Sequence, residues 1–156
     1  MDTVKVHEHI IRISEPAISR NELWQGLVNS VRNPEKFVEH MEGSRILSEE
    51  LSDVGTVLHR EIDFGNFRLR DRVILRENES LLTMVDAGAN WKASSFLIRI
   101  EEPEVGVLFL RFVYEEESGG EALPDMFVQL RRRAYEAKDH HLVEQVLNEI
   151  AAKASR

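Results

Sequence analysis

The sequence predicts an α+β fold in which a curved antiparallel sheet of about seven strands is crossed by one long C-terminal helix. Three observations support this prediction. A stretch rich in Val and Ile lies at 4–13, strand signals recur at roughly ten-residue intervals from Gly43 onward, and apolar residues at near-helical spacing run through 123–152. We therefore expect an antiparallel meander with helices before and after it.

Two short helices are expected between the first strand and the rest of the sheet. Ser19 and Glu22 have the Ser-x-x-Glu spacing of a capping box, and apolar residues follow them at helical spacing. Asn33 and Pro34 then provide a cap and a first-position proline for the second helix. The apolar residues of this second helix are Phe37, Val38 and Met41.

Clusters of turn residues separate the remaining strands. They lie at 53–55, 65–66, 77–79, 87–90 and 102–104. The last two strands, at 91–101 and 105–115, are the most apolar stretch of the chain, so a long element is expected to cover them. That element is the terminal helix, and its inward stripe is predicted to contain Phe127, Leu130, Ala134, Ala137, His141, Leu142, Val146 and Ile150.

Residues 56–76 alternate as two strands joined by a two-residue turn at Gly65 and Asn66. This register places Arg60 opposite Asp71 on the apolar face of the hairpin. An inward ion pair costs desolvation free energy unless the interior is partly wet or holds a polar group. Two interpretations remain open: the pair anchors a polar group of a ligand, or it fixes the register of the two strands.

Composition indicates one globular domain over residues 1–156, with 42% hydrophobic and 31% charged residues. The formal net charge of -8 argues against general nucleic-acid binding, which requires a basic surface. The absence of cysteine excludes disulfides, a thiolate nucleophile and a cysteine-based zinc site. The polar N-terminal segment 1–13 has the pattern of neither a signal peptide nor a membrane span, so we expect a cytoplasmic protein without membrane insertion.

Histidines are the other candidate polar site residues. His7 and His9 share a face of the first strand, but the sequence indicates no third ligand there, so a solvated or hydrogen-bonded pair is favoured and no metal is assigned. His141 lies on the predicted inward stripe, either as a general base or at the edge of the helix interface. No phosphate-binding glycine loop or nucleophile elbow occurs in the sequence, and no cofactor is expected.

The order of the predicted elements is that of the helix-grip architecture, and six segments make the chain resemble a known family. They are Val6-His7-Glu8-His9, Leu23-Trp24-Gln25-Gly26-Leu27, Arg60-Glu61-Ile62-Asp63-Phe64-Gly65, Arg70-Asp71-Arg72-Val73, Ile100-Glu101-Glu102-Pro103 and Leu108-Phe109-Leu110-Arg111-Phe112-Val113-Tyr114-Glu115. On these motifs the chain resembles the START-like or SRPBCC superfamily, which includes the Bet v I-like pollen allergens. Within that superfamily it resembles the AtaL-like family of unknown function, over nearly its whole length.

The resemblance implies a curved sheet that grips the long helix, with an apolar cavity between them. Members of the superfamily bind lipids, steroids or polyketides, cyclise aromatic substrates, or act as protein partners. Three functions therefore remain open: binding of a small hydrophobic ligand by a monomer or weak homodimer, a cyclase or lyase acting on such a ligand, and a protein-interaction domain. The resemblance implies no catalytic set.

The predicted ligand-binding residues come from the hairpin, the neighbouring strands and the terminal helix. The polar contacts are expected from Arg60, Asp71 and His141. The remaining cavity-lining residues are predicted to be Leu58, Ile62, Phe67, Leu69, Val73, Phe96, Ile98, Ile100, Phe127, Leu130 and Ala134.

Overall fold

The computed structural model describes residues 2–13, 17–120 and 123–155. Its strands are β1 (Thr3–Ile13), β2 (Gly43–Ser52), β3 (Gly55–Asp63), β4 (Arg68–Arg76), β5 (Ser80–Val85), β6 (Ser94–Glu104) and β7 (Val107–Glu117), and its helices are α1 (Arg20–Arg32) and α2 (Asp125–Ala154). The strands form an antiparallel sheet in the order β1-β7-β6-β5-β4-β3-β2. Because α2 packs on the inner face of this sheet, the predicted helix-grip fold is confirmed.

The segment after β1 contains one of the two predicted helices. α1 begins at the predicted capping box: the Ser19 hydroxyl accepts a hydrogen bond from the Glu22 N–H, and the Glu22 carboxylate accepts one from the Ser19 N–H. The second helix is reduced to a single 3-10 turn, Pro34–Lys36. Helical geometry does not continue because Phe37 inserts into the core with 2% exposure and His40 adopts a φ of 67°.

The β3–β4 hairpin has the predicted register, with Arg60 facing Asp71. The Phe64 N–H donates to the Phe67 carbonyl at 3.0 Å and closes the two-residue turn. Gly65, the first central residue of that turn, has a φ of 85°, a conformation that glycine adopts without steric cost. Alternation and turn chemistry together therefore fix which hairpin side chains face inward.

The turn between β6 and β7 lies later than predicted. β6 continues through Pro103 to Glu104, and the chain turns at Gly106, which has a φ of 84°. The Gly106 N–H donates to the Glu102 carboxylate at 2.9 Å. Pro103 fits in the strand because the pairing register shifts between Glu101 and Glu104, where its missing N–H is tolerated.

The core lies between the inner face of the sheet, α1 and the second half of α2. The most deeply buried apolar side chains are Leu23, Leu27, Leu58, Ile62, Val73, Leu81, Ile98, Leu110, Phe112 and Val146. Gly26 allows the two helices to approach closely, since a Cβ there would lie 2.8 Å from Cγ1 of Val146. The packed core thus covers one end of the sheet, and the first half of α2 lies over the other end.

The inward face of α2 differs from the predicted stripe in the first half of the helix. Phe127 and Leu130 are each 52% exposed, and Ala134 is also exposed. The side chains that contact the interior are Arg131, Tyr135, Lys138 and Asp139. The inward face of α2 is therefore rotated by about one residue, or roughly 100°, from the predicted stripe. The interactions of the polar side chains with interior partners determine this rotation more strongly than burial of the apolar side chains does. No helix in the described part of the chain is both long and apolar enough to cross a membrane.

Candidate functional site

A cavity of about 270 Å³ lies between the sheet and the first half of α2. Its apolar and aromatic walls are formed by Val6, Met41, Ile62, Phe64, Leu69, Val85, Phe96, Tyr114 and Tyr135. Its polar lining is formed by Arg60, Asp71, Thr83, Ser94, Ser95, Glu115, Arg131 and Lys138. Small-molecule sites are usually hollows with apolar and aromatic walls and polar groups that orient the ligand, and this cavity combines both kinds of lining.

Arg60 and Asp71 form a buried ion pair on the cavity wall, each only 7% exposed. Nε and Nη2 of Arg60 donate to the two carboxylate oxygens of Asp71 at 2.9 and 2.7 Å. Nη1 donates to the Val31 carbonyl at 2.6 Å, at the end of α1. The guanidinium therefore links the hairpin to α1, which favours the structural interpretation of the pair.

Lys138 brings a cation to the cavity from α2. Its Nζ lies 4.5 Å from the ring centroid of Phe96 and 4.9 Å from that of Tyr114. The residue as a whole is exposed, but withdrawal of its ammonium from water lowers the pKa of Lys138. Among the described residues, no carboxylate forms an ion pair with this ammonium. It is therefore available to a group inside the cavity.

Arg131 is the other α2 cation at the cavity, and it is already paired. Its guanidinium donates to the Glu116 carboxylate and, through Nε, to the Tyr135 hydroxyl at 2.9 Å. The hydrogen bonds to Glu116 are the largest cause of a raised pKa for Arg131. This side chain holds Tyr135 in place rather than offering a free charge.

Asp139 lies on the inner side of α2, where it is fully buried and connects two strands to the helix. One carboxylate oxygen lies 2.7 Å from Nε2 of His9 on β1. The Tyr114 hydroxyl on β7 donates to both oxygens, at 2.7 and 2.8 Å. Burial raises the pKa of Asp139, although Lys138 and the two hydrogen-bond donors oppose this effect. Burial and the adjacent carboxylate raise the pKa of Tyr114.

A histidine cluster, consisting of His7, His9 and Glu136, lines a separate open groove between β1 and α2. His7 and His9 alternate on the face of β1 that also carries the buried Ile11 and Ile13, so both histidines face α2. Nε2 of His7 lies 3.7 Å from Oε1 of Glu136. Burial, followed by the charge of His9, lowers the pKa of His7.

The family described as acetylaranotin biosynthesis cluster protein L, AtaL, matches residues 8–153. The chain belongs to this family. The resemblance inferred from the sequence motifs is thereby confirmed, and the matched residues include those of the cavity apart from Val6 and those of the histidine cluster apart from His7. Comparison of the sequence with curated proteins gives no significant match.

Solved structures share the fold of this AtaL-family chain over nearly its whole length. The Zhui aromatase/cyclase from Streptomyces sp. R1128 has a TM-score of 0.66 and 14% identity, covering 98% of this chain and 96% of that one. Ara h 8.0201 has a TM-score of 0.64 and 13% identity, covering 97% and 99%. A START superfamily protein from Mycobacterium smegmatis has a TM-score of 0.62 and 14% identity, covering 96% and 97%. At such identities the likeness shows the fold alone.

The structure places the predicted ligand-binding residues in three groups. Those at the cavity are Arg60, Asp71, Ile62, Leu69 and Phe96. Those packed in the core instead are Leu58, Val73, Ile98 and Ile100. Those away from both are Phe67, Phe127, Leu130 and Ala134, which are exposed, and His141, which is half-buried and does not line this cavity.

The predicted cavity lining is therefore too extensive, for three physical reasons. The second half of α2 and α1 fill the space over the core residues. Phe67 lies beyond the hairpin turn, stacked on Phe64 with ring centroids 4.9 Å apart. The rotation of α2 turns its predicted stripe outward.

Lys138 and Asp139 are the most informative of the site residues that the sequence did not reveal. They occupy adjacent helical positions between Ala137 and Leu142, and a charged pair there indicates a solvent-facing turn by pattern alone. Their partners lie on β1, β6 and β7, far away in the sequence. The alternating histidines of β1 did give one signal. If they face inward, their ring nitrogens need hydrogen-bond partners, and the element that covers β1 must supply them.

Proposed function

We propose that this AtaL-family protein binds a small, largely apolar molecule that carries an anionic or strongly hydrogen-bond-accepting group. The observation that supports this proposal most directly is the Lys138 ammonium. It lines the cavity and lies over aromatic rings, while the other cations there, Arg60 and Arg131, are already paired. A ligand anion would supply the partner that the described residues do not.

The cavity walls suit a flat apolar body. Phe96 and Tyr114 are stacked with ring centroids 4.5 Å apart, and Tyr114 and Tyr135 are stacked at 3.9 Å. Ile62 and Leu69 contribute apolar surface from the hairpin. The volume of about 270 Å³ lies just below the range of roughly 300–1,000 Å³ that is common for ligand sites. We therefore expect a compact aromatic or alicyclic molecule rather than a long lipid.

The shared fold adds support to a ligand-binding role. The similar structures include an aromatase/cyclase and Ara h 8.0201, so this architecture occurs in an enzyme named for aromatisation and cyclisation. The fold alone does not determine function. The proposal for this chain therefore depends on its own cavity and on Lys138.

A cyclase or lyase activity in the same cavity is the second candidate, because one lining residue has the property that proton transfer needs. The lowered pKa of Lys138 increases the fraction of neutral amine, which can take a proton from a carbon next to a ligand carbonyl. The resulting enolate would be stabilised by the ammonium that this transfer creates.

Binding is tested by calorimetric titration with 2-naphthoate, a compact aromatic anion. Thr83→Phe places a ring inside the cavity, whereas Ile74→Phe places the same ring on the opposite face of the sheet. We expect the Thr83→Phe variant to lose binding and the Ile74→Phe variant to keep it. Equal affinity of both variants for 2-naphthoate would place binding elsewhere, and absence of binding to the wild type would remove support for an aromatic anion as ligand.

The role of Lys138 is tested with Lys138→Met, which keeps the length of the side chain but removes its charge. We expect the affinity for 2-naphthoate to fall by roughly ten-fold or more, as for a lost hydrogen bond to a charged group. The affinity for 2-naphthalenemethanol, which has no charge, should change much less. A similar fall for both compounds would indicate lost packing rather than lost anion binding.

The enzymatic candidate is tested by deuterium exchange into the methyl group of 2-acetonaphthone, followed by NMR. Abstraction of a methyl proton gives the enolate, and return of a deuteron from solvent completes the exchange without any co-reactant. A rate above background that is lost in Lys138→Met would support enzymatic proton transfer. A background rate with the wild type would leave binding as the favoured function.

A further inference from the structure

The histidine cluster has the composition and spacing of a metal-binding site. One ring nitrogen from each of His7 and His9 and one carboxylate oxygen of Glu136 lie within 4.8 Å of one another. Two ligand atoms on a tetrahedral zinc ion are roughly 3.3 Å apart, given bonds of roughly 2.0–2.1 Å. The observed 3.7 Å between Nε2 of His7 and Oε1 of Glu136 needs only a small side-chain adjustment to match.

A second observation points to a missing ligand at this cluster. The His7 side chain is 9% exposed, and its Nε2 is buried without a hydrogen-bond partner among the described residues. Proteins rarely leave a buried polar atom unsatisfied, and such an atom often faces a bound ion or an ordered water. The atom that lacks a partner is also the one nearest to Glu136, so it is directed into the cluster.

Asp139 gives the cluster the outer support that metal sites usually have. Its carboxylate lies 2.7 Å from Nε2 of His9 and is itself fixed by Tyr114. In metal sites a ligating histidine commonly donates its other ring N–H to a carboxylate, which orients the ring and increases its basicity. Asp139 engages Nε2 of His9 in this way, so Nδ1 is the nitrogen of His9 that would bind the ion.

We propose that His7, His9 and Glu136 bind a divalent transition-metal ion of the zinc type. Two imidazoles and one carboxylate favour zinc and its neighbours over magnesium or calcium, which prefer oxygen ligands throughout. The third ligand comes from α2, which explains why the strand sequence alone favoured no metal. The site is separate from the ligand cavity, and this proposal does not depend on the proposed function.

Three protein ligands leave a tetrahedral ion with one position for water or an anion. The groove beside the cluster is also lined by Arg132 and Arg133. Their positive charges oppose the binding of a bare cation and favour an anionic fourth ligand. We therefore expect Zn²⁺ to bind more tightly when a small anion such as acetate is present than in its absence.

The experiment uses full-length protein without a histidine tag, freed of metal by dialysis against a chelator. Zn²⁺ affinity is measured at neutral pH by competition with a chromophoric chelator, and Co²⁺ is added separately to record its visible absorption. We expect a single Zn²⁺ per chain and a Co²⁺ spectrum with the intensity of four- or five-coordinate geometry. His7→Gln, His9→Gln and Glu136→Gln should each weaken Zn²⁺ binding at least roughly ten-fold, and Asp139→Asn roughly ten-fold to one hundred-fold.

Matched variants distinguish this site from other histidines and acids. His59→Gln removes a histidine paired with Glu50 on the outer face, and Glu144→Gln changes an exposed acid of α2. Both should bind Zn²⁺ like the wild type. Zn²⁺ binding that is absent, or unchanged in His7→Gln and Glu136→Gln, would overturn the proposal. If a cluster variant fails to fold, the proposal is tested on the wild type by NMR of the imidazole nitrogens. Addition of Zn²⁺ should then change the nitrogen chemical shifts of His7 and His9, and unchanged shifts for these two rings would overturn the proposal.

Discussion

Two carboxylates of the described residues are buried inside the grip, Asp71 on β4 and Asp139 on α2, and they are stabilised in different ways. Asp71 is bound by the guanidinium of Arg60 within a single hairpin. Asp139 accepts hydrogen bonds from His9 and Tyr114, which lie on two other strands. Arg60 always carries its charge, whereas neither hydrogen-bond partner of Asp139 is permanently charged.

This difference gives the two carboxylates different roles: Asp71 is a fixed structural group, whereas the protonation and hydrogen bonding of Asp139 can change. Asp71 has both oxygens occupied by a permanent cation, so its ion pair serves mainly to fix the hairpin and the end of α1. Burial raises the pKa of Asp139, and its partners can change tautomer or rotate a hydroxyl. Asp139 also contacts a cavity-lining residue, Tyr114, and a member of the histidine cluster, His9. A substitution of Asp139 should therefore alter the geometry of both the ligand cavity and the histidine cluster.

The largest expected effect is the loss of stability in Arg60→Met. This variant leaves the Asp71 carboxylate buried without its cation and the Val31 carbonyl without its donor. We expect the free energy of unfolding, measured by urea denaturation, to fall by about 3–5 kcal/mol. The double variant Arg60→Met/Asp71→Leu should recover most of this loss, because no buried charge then remains.

An exposed ion pair next to Arg60 and Asp71 provides the control. Nε of Arg70 lies 3.4 Å from Oε2 of Glu61 across the same two strands, and the Arg70 side chain is 73% exposed. Arg70→Met should change the free energy of unfolding by less than about 1 kcal/mol. If Arg60→Met costs no more than Arg70→Met, the interior near Asp71 is wetter than its burial indicates.

An intermediate effect is expected from Tyr114→Phe, which removes the hydroxyl that donates to both oxygens of Asp139. We expect a loss of about 1.5–3 kcal/mol in the free energy of unfolding, as for a hydrogen bond to a charged acceptor. Tyr135→Phe is the matched control, since its half-buried hydroxyl only accepts from Arg131. A loss in Tyr114→Phe no greater than in the control would show that Asp139 is neutral or hydrated in solution.

The same comparison explains how much of the molecule the sequence could predict. The Arg60–Asp71 pair was predictable because both residues belong to one hairpin, and alternation with a two-residue turn sets their register. The order of the strands from β2 to β7 followed from turn spacing in the same local way, whereas the position of β1 beside β7 did not. The second short helix begins at the predicted Pro34, but its length was predicted wrongly because the buried Phe37 overrides the local helical signal. The position of the turn near Pro103 was predicted wrongly because a strand irregularity overrides the local turn signal.

The environment of Asp139 was not predictable from the sequence. Its contact with His9 joins residues 130 positions apart, and it depends on the rotation of α2 over the sheet. Apolar periodicity sets that rotation only where the helix is apolar, near Leu142 and Val146. In the first half of α2, interior partners for Lys138 and Asp139 decide which face turns inward, and those partners become visible only once the fold is formed.

The smallest expected effect concerns Glu101, a carboxylate on β6 that is largely outside the interior. The hydrogen bond from Arg111, at 3.0 Å, is the main cause that lowers the pKa of Glu101 below its ordinary value of 4.5. Because the pKa is lowered in the folded state, Glu101 stabilises the fold above that ordinary value, and this stabilisation is lost as the pH falls through the folded pKa. In Arg111→Gln, the pKa of Glu101 measured by NMR titration should return toward 4.5. The free energy of unfolding should then depend less on pH below that value. An unchanged titration of Glu101 in Arg111→Gln would show that Arg99, its other arginine partner, holds the charge instead.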